Sequence, residues 1–153
     1  MSITLTIEGL DQFKADVQKG ADNIQPEIQT AMVNSVNQVK NEAQNIAPYQ
    51  TGTLRRSIYT DIQDNGFTGI VGQDSNIAPY GIDVEYGTAP HEIYPVNKKA
   101  LFWKGALNPY RHVHHPGTRA NPFMSDAINN SLDAIQGFFE KAVQNIVDIM
   151  AGK

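Results

Sequence analysis

The chain contains no cysteine, a single tryptophan and no apolar run near the roughly 20 residues that span a bilayer. Without cysteine there is no disulfide scaffold, no thiolate nucleophile and no thiolate metal site. The opening MSITLTIEG has neither a charged n-region nor an apolar h-region, so it is not expected to act as a secretory signal. The expectation is a soluble chain, cytosolic at synthesis. Motifs that would announce catalysis are also missing. There is no G-x-S-x-G, no HExxH helix and no glycine-rich phosphate loop, and no serine has a spacing that implies a base beside it.

What is there suits one ordinary domain over residues 1–153, with 41% hydrophobic and 18% charged residues. A domain of this size buries about 70% of its unfolded surface. The net charge of −4 argues against general nucleic-acid binding, and its distribution says more. Residues 61–89 contain Asp61, Asp64, Asp74, Asp83 and Glu85 and no Lys or Arg, net −5. Residues 90–120 carry Lys98, Lys99, Lys104, Arg111 and Arg119 against Glu92 alone, net +4. An acidic block followed by a basic one reads either as plain solvated surface or as two unlike faces suited to head-to-tail self-association.

Periodicity gives the order of elements. Ile3, Leu5 and Ile7 alternate over a strand at 2–8. Leu10, Phe13, Val17, Ala21 and Ile24 fall at helical spacing over 10–24, and Gln25-Pro26 should interrupt that helix. Ile28, Met32, Val36, Val39, Ala43 and Ile46 make an amphipathic stripe over 26–47, stopped by Pro48. The middle, 53–113, reads as β: a strand at 57–62, a turn at Asp64-Asn65-Gly66, a partner at 67–71, then VEYG, HEIYP and ALFW as further strands of one sheet. Asn121 caps, and Pro122 opens, a C-terminal helix over 122–150 whose stripe runs Met124, Ile128, Leu132, Ile135, Phe139, Ala142, Ile146, Ile149. Phe138, Val143, Val147 and Met150 widen that stripe, so the helix should have two partners. The fold class is α+β: an antiparallel sheet packed against a long N-terminal and a long C-terminal helix. The loops 73–79 and 106–121 have few apolar anchors and should be mobile until a partner orders them.

The candidate chemistry is thin. His112, His114 and His115 sit around a possible strand end, where His112 and His114 would share a face and could bind one metal, with His91, Asp83 or Glu85 completing the set. A metal-dependent hydrolase built on that histidine loop is the enzymatic alternative. Asp83 and Glu85, on one strand face, form a possible carboxylate pair, and Arg55 and Arg56 beside Thr51-Gly52-Thr53 suit either a phosphate or an ion pair with the acidic block. The glycines and prolines of the same region set backbone direction instead of supplying reactive groups.

Four runs in order carry a resemblance: APYQTGTLRRSI (47–58), YGIDVEYGT (80–88), IYPVNKKALFWKG (93–105) and VHHPGTRANPFMSDAI (113–128). Together they resemble the tail-component family of long-tailed bacteriophages and prophages, whose members serve as neck or tail-completion proteins. The family pattern is A-P-x-x-T-G-x-L-R-x-S-I, then V-E-x-G-T, then a lysine-rich strand ending near an aromatic, then H-P-G-T-x-x-x-P-F before a C-terminal helix. With the flanking helices the likeness covers nearly the whole chain. The NPYRHV stretch before the last run departs from the pattern and points to a loop fitted to its own partner. The resemblance implies a structural virion protein at the head–tail junction, made in the host cytoplasm, with no catalysis and no cofactor. It implies a self-assembled ring, six copies in the virion, between the tail tube or tail terminator and the head-closure or connector protein. DNA would pass through that ring without specific recognition, and no membrane is involved. A terminator that caps the tail tube is the nearest alternative role. Candidate interaction residues are Arg55, Arg56, Glu85, Lys98, Lys99, His114, His115 and Arg119.

Overall fold

The computed structural model describes residues 1–5 and 24–150. The strand expected beyond Leu5 and the helix expected over 10–24 therefore lie outside the described residues, apart from Ile24. The first half runs β1 (Ser2–Leu5), α1 (Ile24–Ile46), a helical turn α2 (Thr53–Arg56), β2 (Ile58–Gln63) and β3 (Thr68–Gln73). The second half runs α3 (Gly81–Tyr86), β4 (His91–Ile93), β5 (Val113–His115) and the long α4 (Phe123–Met150). The fold is α+β, with α1 packed between the sheet and α4.

The stripe read for α1 is the one it buries. Ile28, Met32, Val36, Val39 and Ala43 are buried at steps of three and four, against the sheet on one side and α4 on the other. Pro26 stands in the first turn of the described helix, a place proline tolerates. The stripe of α4 needs correcting. Its buried row runs Met124, Ala127, Ser131, Ile135, Ala142 and Ile146, while Leu132 and Ile149, expected inside, stand 52% and 42% exposed. Small residues hold the contact because they let two helices approach closely. Ser35 of α1 and Ser131 of α4 are fully buried, and each hydroxyl donates to the carbonyl four residues back at 2.7 Å. Neither polar group is left unsatisfied.

The main sheet is antiparallel in the order β1-β3-β2. Its register pairs Ser2 with Gly72 and Ile58 with Gln73. Along β2, which matches the strand expected at 57–62, Ile58, Thr60 and Ile62 turn inward while Tyr59, Asp61 and Gln63 turn outward. On the inner face Gly69 lets α1 lie close: a side chain there would sit 2.6 Å from Met32 Sδ. Asp64-Asn65-Gly66 forms the expected turn, with the two non-glycine residues in left-handed backbone. Gln25 and Gln29 of α1 pin it by donating to the Asn65 carbonyl at 3.3 and 2.9 Å.

Two expectations for the middle fail. The later runs do not join this sheet: β4 and β5 make a separate two-stranded ladder, and ALFW contributes only the single bridge Leu101↔Tyr110. VEYG is not a strand but the end of α3. Helical spacing puts Gly81 and Glu85 on the buried side and leaves Ile82, Asp83 and Tyr86 exposed, so Asp83 and Glu85 do not share a face. The loop 73–79 is also anchored. Gln73 Nε2 donates to Ser57 Oγ, the Asp74 carbonyl and the Ala78 carbonyl, and Ala78 is fully buried.

Candidate functional site

Between Tyr86 and Pro122 no residue is buried. This stretch leaves the body as an arm, held by pairs across its own two strands. Nearest the body, Thr88 and Thr118 exchange backbone bonds at 3.0 and 3.1 Å, and their hydroxyls meet at 3.0 Å. Next, His91 faces His115, with rings stacked at 5.0 Å. Glu92 faces His114, whose Nδ1 lies 2.7 Å from Glu92 Oε1. Ile93 faces Val113, and beyond the ladder Tyr94 stacks on His112 at 5.8 Å. At the far end Leu101 and Tyr110 form a two-bond bridge, with Trp103 stacked on Tyr110 at 5.4 Å. Cross-strand pairs of this kind contribute only fractions of a kcal/mol each, and an isolated two-stranded ribbon is marginal in water.

The root of the arm is where the sequence runs meet. Gly87 and Gly117 both have left-handed φ, 74° and 87°. A Cβ on Gly87 would strike the Thr118 carbonyl, and one on Gly117 the Thr88 carbonyl, so the two strands cross backbone to backbone. The HPGT run is thus half of a clamp whose other half is the GT of VEYGT. His115 Nδ1 accepts the Gly117 N–H at 3.1 Å, which sets its tautomer and holds the turn.

Glu85 joins the arm's root to the body. Its carboxylate is 1% exposed and accepts from the Met124 N–H at 2.9 Å, the Ser125 N–H at 3.1 Å and the Ser125 hydroxyl at 2.7 Å. These are the orphan donors at the first turn of α4, where the helix dipole also favours an anion. The cap therefore comes from 40 residues upstream and not from Asn121, whose backbone N–H instead donates to the Val84 carbonyl at 2.8 Å. Glu85 is a structural lock, unavailable to a metal or a partner. Phe123, fully buried beside it, fixes the helix start in the core.

Arg55 caps the other long helix. Its guanidinium donates to the Ala47 carbonyl at 2.8 and 3.0 Å and to the Asn45 carbonyl at 3.2 Å, and lies 5.1 Å from the centre of the Tyr49 ring. A cation at the C-terminal carbonyls of α1, which has no basic residue in its own last turn, opposes the negative end of the dipole. Arg56 donates to the Thr51 carbonyl and Thr53 Oγ1. Within the chain, the expected pairing of these arginines with the acidic block is replaced by carbonyl capping.

The remaining candidates scatter. Lys98 and Lys99 are exposed on the distal arm, His114 sits on one arm face and His115 on the other, and Arg119 is exposed at the root. His112, His114 and His115 are each occupied by a different cross-strand partner, and among the described residues no three His, Asp or Glu side chains are placed to hold a metal ion. The ligand set of the hydrolase alternative is thus not assembled. A cleft of about 480 Å³ lies at the root between Pro48, Tyr80, Val84, His91, His115 and Arg119.

Exposed apolar groups on the distal arm are a feature that residue type and spacing do not reveal. Phe102, Trp103 and Leu107 stand 68%, 48% and 88% exposed, among Lys98, Lys99 and Lys104. The signal was present in ALFWKGAL, but an apolar run reads as buried strand until the fold shows nothing above it. No protein-family model matches the chain, and searches of curated proteins and of solved structures returned no match.

Proposed function

We propose that this protein is a structural component of a long-tailed phage particle, a neck or tail-completion subunit that works as a ring at the head–tail junction. One observation carries the reading. The four runs that resemble the phage tail-component family map onto the joints that brace a protruding arm. TGTLRR caps α1, VEYGT supplies the α4 lock and half the clamp, and HPGT supplies the other half. PF starts α4, and the lysine-rich run forms the arm itself. The runs are therefore conformational in use, as an assembly protein requires, and no reaction is assigned to the chain. A ring needs each subunit to reach beyond its own core, and an arm with exposed apolar and basic groups suits that task.

The test is electron microscopy of a lysate from phage unable to make the protein. The expected result is DNA-filled heads and tails of near-normal length, with few joined particles. Tails of uncontrolled length would move the role to tail termination. Normal joined virions would end the structural reading.

A further inference from the structure

Among the described residues, two exposed surfaces match each other. The first is the distal arm, where Phe102, Trp103 and Leu107 lie exposed among Lys98, Lys99 and Lys104. The second is the outer side of α4. Leu132, Val143 and Val147 stand 52%, 47% and 50% exposed there. At helical spacing they fall within about 60° of one another around the axis. Asp126, Asp133 and Glu140, seven residues apart, form a parallel row directly beside that apolar stripe. Glu140 accepts from the neutral Gln136 amide at 2.7 Å, which leaves its charge unbalanced. Among the described residues, neither this acidic row nor the arm lysines form an ion pair within the chain. The arm segment 90–120 is net +4, so the rest of the chain carries −8.

We infer that the distal arm of one copy docks across the exposed face of α4 of the next copy, apolar groups on Leu132, Val143 and Val147, lysines on the acidic row. The inference rests on the ring reading and names its interface. Charge contrast chooses the occupant: a basic, aromatic tip meets an acidic, apolar helix, whereas arm against arm or helix against helix would set like charges together. The contact joins two different patches, so it is heterologous and propagates head to tail, the geometry that closes into a ring. It also relocates the acidic partner anticipated in 61–89. Glu85 in that block is buried and committed to the α4 cap, and it does not share a face with Asp83.

The chain supplies its own probe, since Trp103 is the sole tryptophan and lies on the docking tip. Sedimentation and tryptophan emission are followed against concentration for the full chain and for two charge-reversed variants, K99E/K104E and D133K/E140K. All four sites are exposed, and unchanged thermal melts verify folding. Wild type should associate as Trp103 emission shifts to the blue. Each variant alone should associate roughly tenfold or more weakly, because arm and helix then repel. An equimolar mixture of the two should recover association, since each reversed surface finds its complement. Variants that associate like wild type would overturn the docking and leave a ring built on another surface. Wild type that stays monomeric with unshifted emission at every concentration would also overturn it, while the ring reading would still stand or fall on the phage particles. A blue shift produced by duplex DNA but not by protein concentration would overturn it in favour of nucleic-acid contact.

Discussion

The body and the arm are one chain folded by two different means. In the body, α1 sits between the sheet and α4, and fully buried side chains such as Met32, Phe123 and Met124 fix the arrangement. In the arm, from Tyr86 to Pro122, no side chain is buried and pairs of residues across the ribbon carry the shape. Burial makes the body insensitive to what surrounds it. The arm has a defined path and little energy holding it there, which is the condition of an element completed by a partner. The joints between the two, Glu85 and the Gly87–Gly117 crossing, aim the arm from the rigid side.

Paired phenylalanines expose the contrast most sharply. Phe123→Ala should cost the body about 3–5 kcal/mol, the range for truncating a buried aromatic. Phe102→Ala, the same chemical change on the arm, should alter stability by no more than about 0.5 kcal/mol. Urea unfolding of both variants checks the pair, and equal losses would mean the arm has a core of its own.

The lock comes next in size. Glu85→Ala leaves buried first-turn donors of α4 without an acceptor and should cost about 2–3 kcal/mol. Glu85→Gln keeps one acceptor oxygen and should recover part of that. Amide exchange at Met124 and Ser125 should quicken in both. Arg55→Ala, which releases the partly exposed terminal carbonyls of α1, should cost about 1 kcal/mol. Arg55→Lys should restore only part of the loss, since an ammonium lacks the planar fork that reaches Ala47 and Asn45 together.

The same division explains what the sequence made legible. The body is the legible part: the α1 stripe shows because one side of that helix is buried, and the strand at 57–62 and the turn at Asp64-Asn65-Gly66 show by residue type. The α4 stripe is legible at Met124, Ile135, Ala142 and Ile146 but not at Leu132, which looks like core by type while the contact uses Ala127 and Ser131. Glu85 could not be placed from its neighbours. Its role is set by donors about forty positions on, and a lone V-E-Y reads as strand by propensity. Proximity in sequence points Arg55 to the acidic block, whereas its guanidinium caps the end of α1. The arm reads as sheet because apolar, β-branched and aromatic runs normally signal burial, and here they do not.

The central claim is that the arm serves the assembly and the body merely holds it. The direct measurement replaces residues 94–112 by Asn-Gly, a two-residue turn that closes the ladder at the paired Ile93 and Val113. Thermal unfolding of the purified chain and the yield of joined particles from phage carrying the change are then compared with wild type. The account predicts an unfolding transition within a few degrees of wild type and heads and tails that remain apart. Joined, infectious particles at wild-type yield would contradict it.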